Sequence, residues 1–125
     1  MKKYRIDPNR GLEFGIYTLG DHLPNPLTGE RIPAQQRIKE IIEFAQLAEQ
    51  AGVDFFSVGE SHQEYFATQA HTVVLGAIAQ ATEKIKIASS STIISTLDPV
   101  RVYEDFATID LISDGRAEIV AGRAS

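Results

Sequence analysis

The sequence predicts an α/β protein built from parallel β/α units, four strands and three helices, forming half of a TIM barrel. Three observations predict it. Ile85 to Arg123 reads as strand, helix, turn, strand, a unit that crosses over right-handed and leaves its strands parallel. The unit recurs, with strands starting near residues 13, 53, 85 and 117, about 32 residues apart after a longer first step. A closed barrel of eight such units needs roughly 250 residues, and this chain has 125.

Residues 1–11 are polar, hold Pro8 and Gly11, and read as a flexible arm on a single domain spanning 1–125. Leu12 to Leu19 (LEFGIYTL) reads as the first strand. Gly20 to Pro33 carries three prolines and two glycines and reads as a long loop. Loops of that length are either functional lids or disordered. Pro33 opens the first helix, with Ile38, Ile41, Ile42, Ala45 and Ala48 as its buried stripe. Lys39, Glu40, Glu43 and Glu49 face water on the opposite side, and Gly52 ends it.

Val53 to Gly59 (VDFFSVG) is nearly continuous in apolar residues, as a strand covered on both faces should be. Glu60 to Gln69 is a polar loop. The second helix runs from Ala70 to Thr82, with Ala70, Val73, Val74, Ala77, Ile78 and Ala81 on its buried side. Ile85 to Thr92 is the third strand and ends in small hydroxylated residues. Asp98 then caps the third helix, and Pro99 sits where a missing N–H costs nothing. Val102, Phe106, Ile109 and Ile112 recur at helical spacing. Asp114-Gly115 stops that helix, and Ala117 to Ala121 is the fourth strand. The expected sheet therefore has four parallel strands in sequential order, with all three helices on one face.

Composition narrows the function. A net charge of −5 argues against a nucleic-acid surface or a polybasic membrane patch. The absence of cysteine excludes disulfides, thiolate metal sites and cysteine nucleophiles. No signal peptide and no apolar run long enough to span a bilayer is read, so the expected location is the cytoplasm. No G-x-G-x-x-G or Walker loop is present. His22, His62 and His71 lack ligand spacing, so no metal site is expected. His22 and His71 read as solvated or capping residues.

Candidate site residues fall at the C-terminal ends of the strands, where parallel β/α folds assemble their sites. Glu60 and His62 follow the second strand, and a carboxylate two residues from an imidazole can tune a proton acceptor near neutral pH. Position alone favours the plainer reading, loop residues bonded to backbone or water. Ser89-Ser90-Ser91-Thr92 could bring hydroxyls and backbone amides against a ligand, and is equally the run of small residues that a crowded barrel interior tolerates. Arg123 ends the fourth strand, where its rigid, always-charged fork suits a phosphate or an anionic ring.

With Val58-Gly59-Glu60-Ser61-His62, Asp98-Pro99-Val100-Arg101, Asp114-Gly115-Arg116-Ala117-Glu118 and the Gly122-Arg123 end in place, the chain resembles the bacterial luciferase-like family of flavin-dependent monooxygenases. The motifs occur in the family's order and cover nearly everything after residue 11. The resemblance implies a (β/α)8 barrel, a homo-oligomer (commonly a dimer), and reduced FMN, or F420 in some branches, acting with oxygen on a small organic substrate. It places Glu60 and His62 beside the reacting centre. It matches Ser90 and Ser91 to a pair that approaches the flavin ring, where several members hold a non-proline cis peptide. It matches Arg123 to an arginine that contacts flavin or its phosphate. The Asp98 helix and the Ala70–Thr82 helix are the implied dimer contacts.

Three departures stand out. Ser61 occupies the place of the triplet's first histidine, Ala124 replaces a glycine, and the four C-terminal units of the barrel are absent. A catalytically inactive half-barrel, acting through self-association or a missing partner half, is therefore the second reading. A flavodoxin-like receiver domain is the third. It fails because Leu19-Gly20-Asp21 and Ser91-Thr92 stand where acidic residues would be needed, and a fifth strand is lacking.

Overall fold

A computed structural model describes residue 9 and residues 11–124; most of the expected 1–11 arm lies outside the described residues. The order is β1 (Gly15–Thr18), α1 (Ala34–Gln50), β2 (Phe55–Val58), α2 (His71–Ala81), β3 (Lys86–Ser89), β4 (Thr92–Ile93), α3 (Pro99–Ile112), β5 (Ala117–Glu118) and β6 (Ala121–Gly122). Strands β1-β2-β3-β5 form one parallel sheet in that order, with Ile16 opposite Phe56 and Phe56 opposite Ile87. Sequential order without reversal keeps every crossover of one hand. The helices accordingly pack side by side, α1 on α2 and α2 on α3. The expected half-barrel of parallel units is what forms.

The last two expected strands each break in two. Ser89 causes this. Its hydroxyl, fully buried, accepts the Val120 N–H at 3.0 Å and lies 3.2 Å from the Val120 carbonyl. A side chain thus takes a ladder position that backbone would otherwise fill. The chain then passes through a cis Ser90–Ser91 peptide, and pairing resumes as β4 beside β6, with Thr92 N–H on Val120 O at 2.9 Å.

The core lies between the sheet and the helices. Phe56, Val58, Ile85 and Ile87 meet Ile41, Ala45 and Ala48 of α1, Val74, Leu75 and Ile78 of α2, and Ile109 of α3. Each fully buried side chain of this size contributes about 1.5–3 kcal/mol. Two expectations fail in detail. Val73 is 71% exposed and Ala77 exposed, while Leu75 and Ala79 are buried, so α2 is turned from its expected face. Glu49 does not simply face water: its carboxylate accepts the amides of Glu83, Lys84 and Ile85 at 2.6–3.1 Å, holding the turn before β3.

Capping follows the sequence closely. Asp98 Oδ1 accepts the Val100 and Arg101 amides at 2.9 and 3.1 Å, ahead of Pro99. Gly115 takes a φ of 85° past α3. Arg116, next along, donates to the Ala79 and Thr82 carbonyls at 2.9 and 2.8 Å, and to Thr82 Oγ1 and the Ile85 carbonyl. A guanidinium on the last carbonyls of α2 satisfies groups the helix cannot.

By strand alternation, Tyr17, Phe55, Ser57, Lys86, Ala88 and Glu118 line the other face. Gly15 there has no Cβ because the Phe55 ring occupies that space. Lys86 pairs with Glu13 at 2.6 Å. Tyr17 remains 65% exposed on this face, whereas Ser57 and Ala88 are buried there.

Candidate functional site

The site grows from the C-terminal end of β2. The Gly59 amide donates to Thr18 O and the Ser90 amide to Val58 O, both at 2.9 Å, which carries the parallel ladder past the strand ends. Thr68, fully buried, reaches the Leu19 and Gly59 carbonyls from the following loop at 2.9 and 2.8 Å. The long loop is tied in too. His22 N–H donates to Tyr65 O at 2.7 Å, and His22 Nε2 bonds Ile32 O at 2.6 Å. Expected as a solvated residue, His22 is instead buried, because its ring satisfies the loop's own backbone.

Glu60 is the centre. Its side chain is only 2% exposed. Oε2 accepts the Ile93 amide at 2.8 Å, Oε1 faces His62 Nε2 at 2.7 Å, and the Glu60 amide itself donates to Ser91 O at 3.3 Å. Since a carboxylate only accepts, His62 carries its proton on Nε2 in this pairing. That leaves Nδ1 of a 59% exposed ring to exchange a proton.

His71 was expected as a solvated or capping residue and is neither. It opens α2 with 3% of its side chain exposed, Nδ1 lies 3.7 Å from Glu60 Oε2, and Nε2 lies 2.9 Å from Thr92 Oγ1. The arrangement assigns Nδ1–H toward the carboxylate, with the Thr92 hydroxyl donating to Nε2. Burial holds its pKa below the usual histidine value, against the pull of Glu60 and Asp105 in the other direction, while His62 pushes it lower. Its ring stands 6.5 Å from that of Phe106. His62, His71, Thr92, Arg101, Asp105 and Phe106 border a cleft of about 180 Å³ between α2 and α3.

Ser90 and Ser91 are half-buried, and Gly122 packs against Ser91 so closely that a Cβ there would lie 2.8 Å from the Ser91 Cβ. Arg123 follows directly and is exposed. The expected residues therefore form two groups. Glu60 and His62 meet in the cleft. Ser90, Ser91 and Arg123 gather at the neighbouring strand end and do not line that cleft. Glu60 joins the groups through its bonds to Ser91 and Ile93. Sequence reasoning missed His71 and Gly122. The one available signal was a histidine opening an apolar helix beside the strand edge. Among the described residues no cluster suits a metal ion and no helix is long and apolar enough to cross a membrane.

Comparison with known proteins places this geometry. The family model described as luciferase-like monooxygenase matches residues 12–125. The N-acetyl-S-alkylcysteine monooxygenase of Bacillus subtilis (strain 168) is 31% identical over 103 residues, 82% of this chain and 31% of that protein. The crystal structure of monooxygenase RslO1 from Streptomyces bottropensis superposes with a TM-score of 0.80 at 25% identity, covering 91% of this chain and 34% of that one. The oxygenating constituent of 3,6-diketocamphane monooxygenase from Pseudomonas putida, a type II Baeyer-Villiger enzyme in complex with FMN, shares the fold. Its TM-score is 0.78 at 19% identity, with 90% of this chain and 30% of that one covered. The chain spans about a third of the length of the curated relatives it matches. By the extent of the family match and the parallel half-barrel that carries it, this chain belongs to the luciferase-like monooxygenases.

Proposed function

We propose that this chain supplies the first half of the barrel of a flavin-dependent monooxygenase, which uses reduced FMN and oxygen on a small organic substrate. The observation that carries the reading is the junction at one strand edge where Glu60 grips Ser91 and Ile93 beside Gly122 and Arg123. The residues fit a flavin. Small Ser90 and Ser91 leave backbone approachable by a planar ring, and Arg123 offers charge-assisted bonds to an anionic ring or phosphate. Bound flavin would supply the electrons that let oxygen react. His62, its Nε2–H fixed by Glu60, would exchange a proton at Nδ1. F420 is the alternative the family resemblance allows. Relatives that are monooxygenases favour a true flavin, because a reduced 5-deazaflavin passes hydride and reacts poorly with oxygen.

The test is titration of FMN into the protein at full natural length. Arg123→Ala should weaken binding by about 1.5–3 kcal/mol, the range for hydrogen bonds to charged groups. His62→Ala should bind FMN as the parent does and turn over roughly 10²–10⁴-fold more slowly. Parental affinity in the first variant, or parental turnover in the second, overturns the corresponding role.

A further inference from the structure

The geometry points to His71 as a positioning residue that holds the Ser91–Ile93 backbone in place, acting through Thr92 directly and through Glu60. Its functional weight rests on the flavin reading above; the contact itself does not. His71 reaches residues 91–93 by two routes. Nε2 meets the Thr92 hydroxyl at 2.9 Å, and Nδ1 faces Glu60 Oε2, the same oxygen that accepts the Ile93 amide at 2.8 Å. Thr92 is fully buried and Glu60 nearly so. The approach to Glu60, at 3.7 Å, is longer than a hydrogen bond, so the hydrogen-bonded route to this backbone runs through Thr92 and the Glu60 route is a packing and electrostatic one. The imidazole is itself rigidly seated, because it opens the eleven-residue α2 and lies among buried groups.

The alternative is a satisfied core histidine that does nothing to its neighbours. The surroundings argue against it. Among the described residues, the polar contacts of the His71 side chain lead to residues 60 and 92, at the edge where β3 gives way to β4. The charged and titratable groups facing it are Glu60 and His62 from the β2 loop and Asp105 from α3, with Arg101 on the same cleft. All four line the cleft of the candidate site.

The test is amide hydrogen exchange in the flavin-free protein at full natural length, comparing Ile93 with Ile87. The Ile93 N–H is bonded to Glu60, whereas the Ile87 N–H is bonded to Arg116 O at 2.9 Å in the core sheet. His71→Leu removes both contacts. His71→Asn keeps an N–H where Nδ1 stands but cannot reach Thr92. Ile93 should exchange about tenfold faster in His71→Leu, Ile87 should be unchanged, and His71→Asn should exchange at a rate between the parent and His71→Leu. The proposal is overturned if Ile93 is unprotected in the parent, or unaffected by His71→Leu. It is equally overturned if Ile87 accelerates alongside Ile93, which marks a general packing role, or if His71→Asn protects Ile93 as fully as the parent, which removes the Thr92 route. No flavin enters this measurement, so its failure and the failure of the flavin reading are separate results.

Discussion

From just past β2, the Glu60 carboxylate accepts the Ile93 amide of β4 at 2.8 Å, while the Glu60 amide donates to Ser91 O at 3.3 Å. One residue therefore grips the backbone on both sides of Thr92. A paired carboxylate beside an imidazole reads first as acid–base machinery. Here the same carboxylate is also structural, and its burial makes it costly to lose.

Glu60→Ala should destabilise the protein by about 1–3 kcal/mol, because the Ile93 amide loses its acceptor. Glu60→Gln keeps an oxygen for Ile93 and should lose less. Urea unfolding of both variants decides it. Equal midpoints for Glu60→Ala and the parent would mean that the grip contributes nothing.

Gly122 and Ser91 should be coupled. A Cβ on Gly122 would come within 2.8 Å of the Ser91 Cβ and closer still to its hydroxyl, a degree of overpacking that costs about 1–3 kcal/mol. Gly122→Ala should therefore destabilise, and Ser91→Gly in the same protein should recover most of the loss. A double-mutant cycle reads this directly, with a coupling of at least about 0.5 kcal/mol expected for touching residues. Additive effects would show that the contact is relieved elsewhere.

The sequence made the strand and helix order legible because its signals are local. Asp98-Pro99 and Asp114-Gly115 bracket α3 by capping chemistry that needs no tertiary partner. The break between β3 and β4 was not legible, since it depends on the Ser89 hydroxyl meeting Val120 across 31 residues. Glu49 looked like one more solvated glutamate on α1, and only the turn 34 to 36 residues later gives it three amides. The face of α2 was misjudged because its residues are apolar almost all round, so periodicity had little contrast to work with. Glu60 and His62 were singled out by motif and position. His71 was not, because its partners Glu60 and Thr92 lie 11 and 21 residues away and no short pattern links the three.

Acid should destabilise the protein in two stages, each tied to a named group. Burial holds the His71 pKa below its ordinary 6.5, and the opposing pull of Glu60 and Asp105 does not restore it. Between 6.5 and the folded value, the unfolded chain binds a proton that the folded chain refuses. Stability therefore rises with pH across that window and is lost as pH falls through it. Glu49 acts lower. Burial alone would raise its pKa, but the amides of Ile85, Lys84 and Glu83, helped by Arg116, bring it below the ordinary 4.5. Its contribution is present above 4.5 and disappears as pH falls through the depressed folded value. Urea midpoints measured from pH 8 down to pH 3 should thus decline first below about pH 6.5 and again below about pH 4.5. His71→Asn should flatten the first decline and leave the second, while Glu49→Gln should do the reverse. A first decline that persists in His71→Asn would assign it to another group and remove His71 as the buried neutral imidazole of this edge.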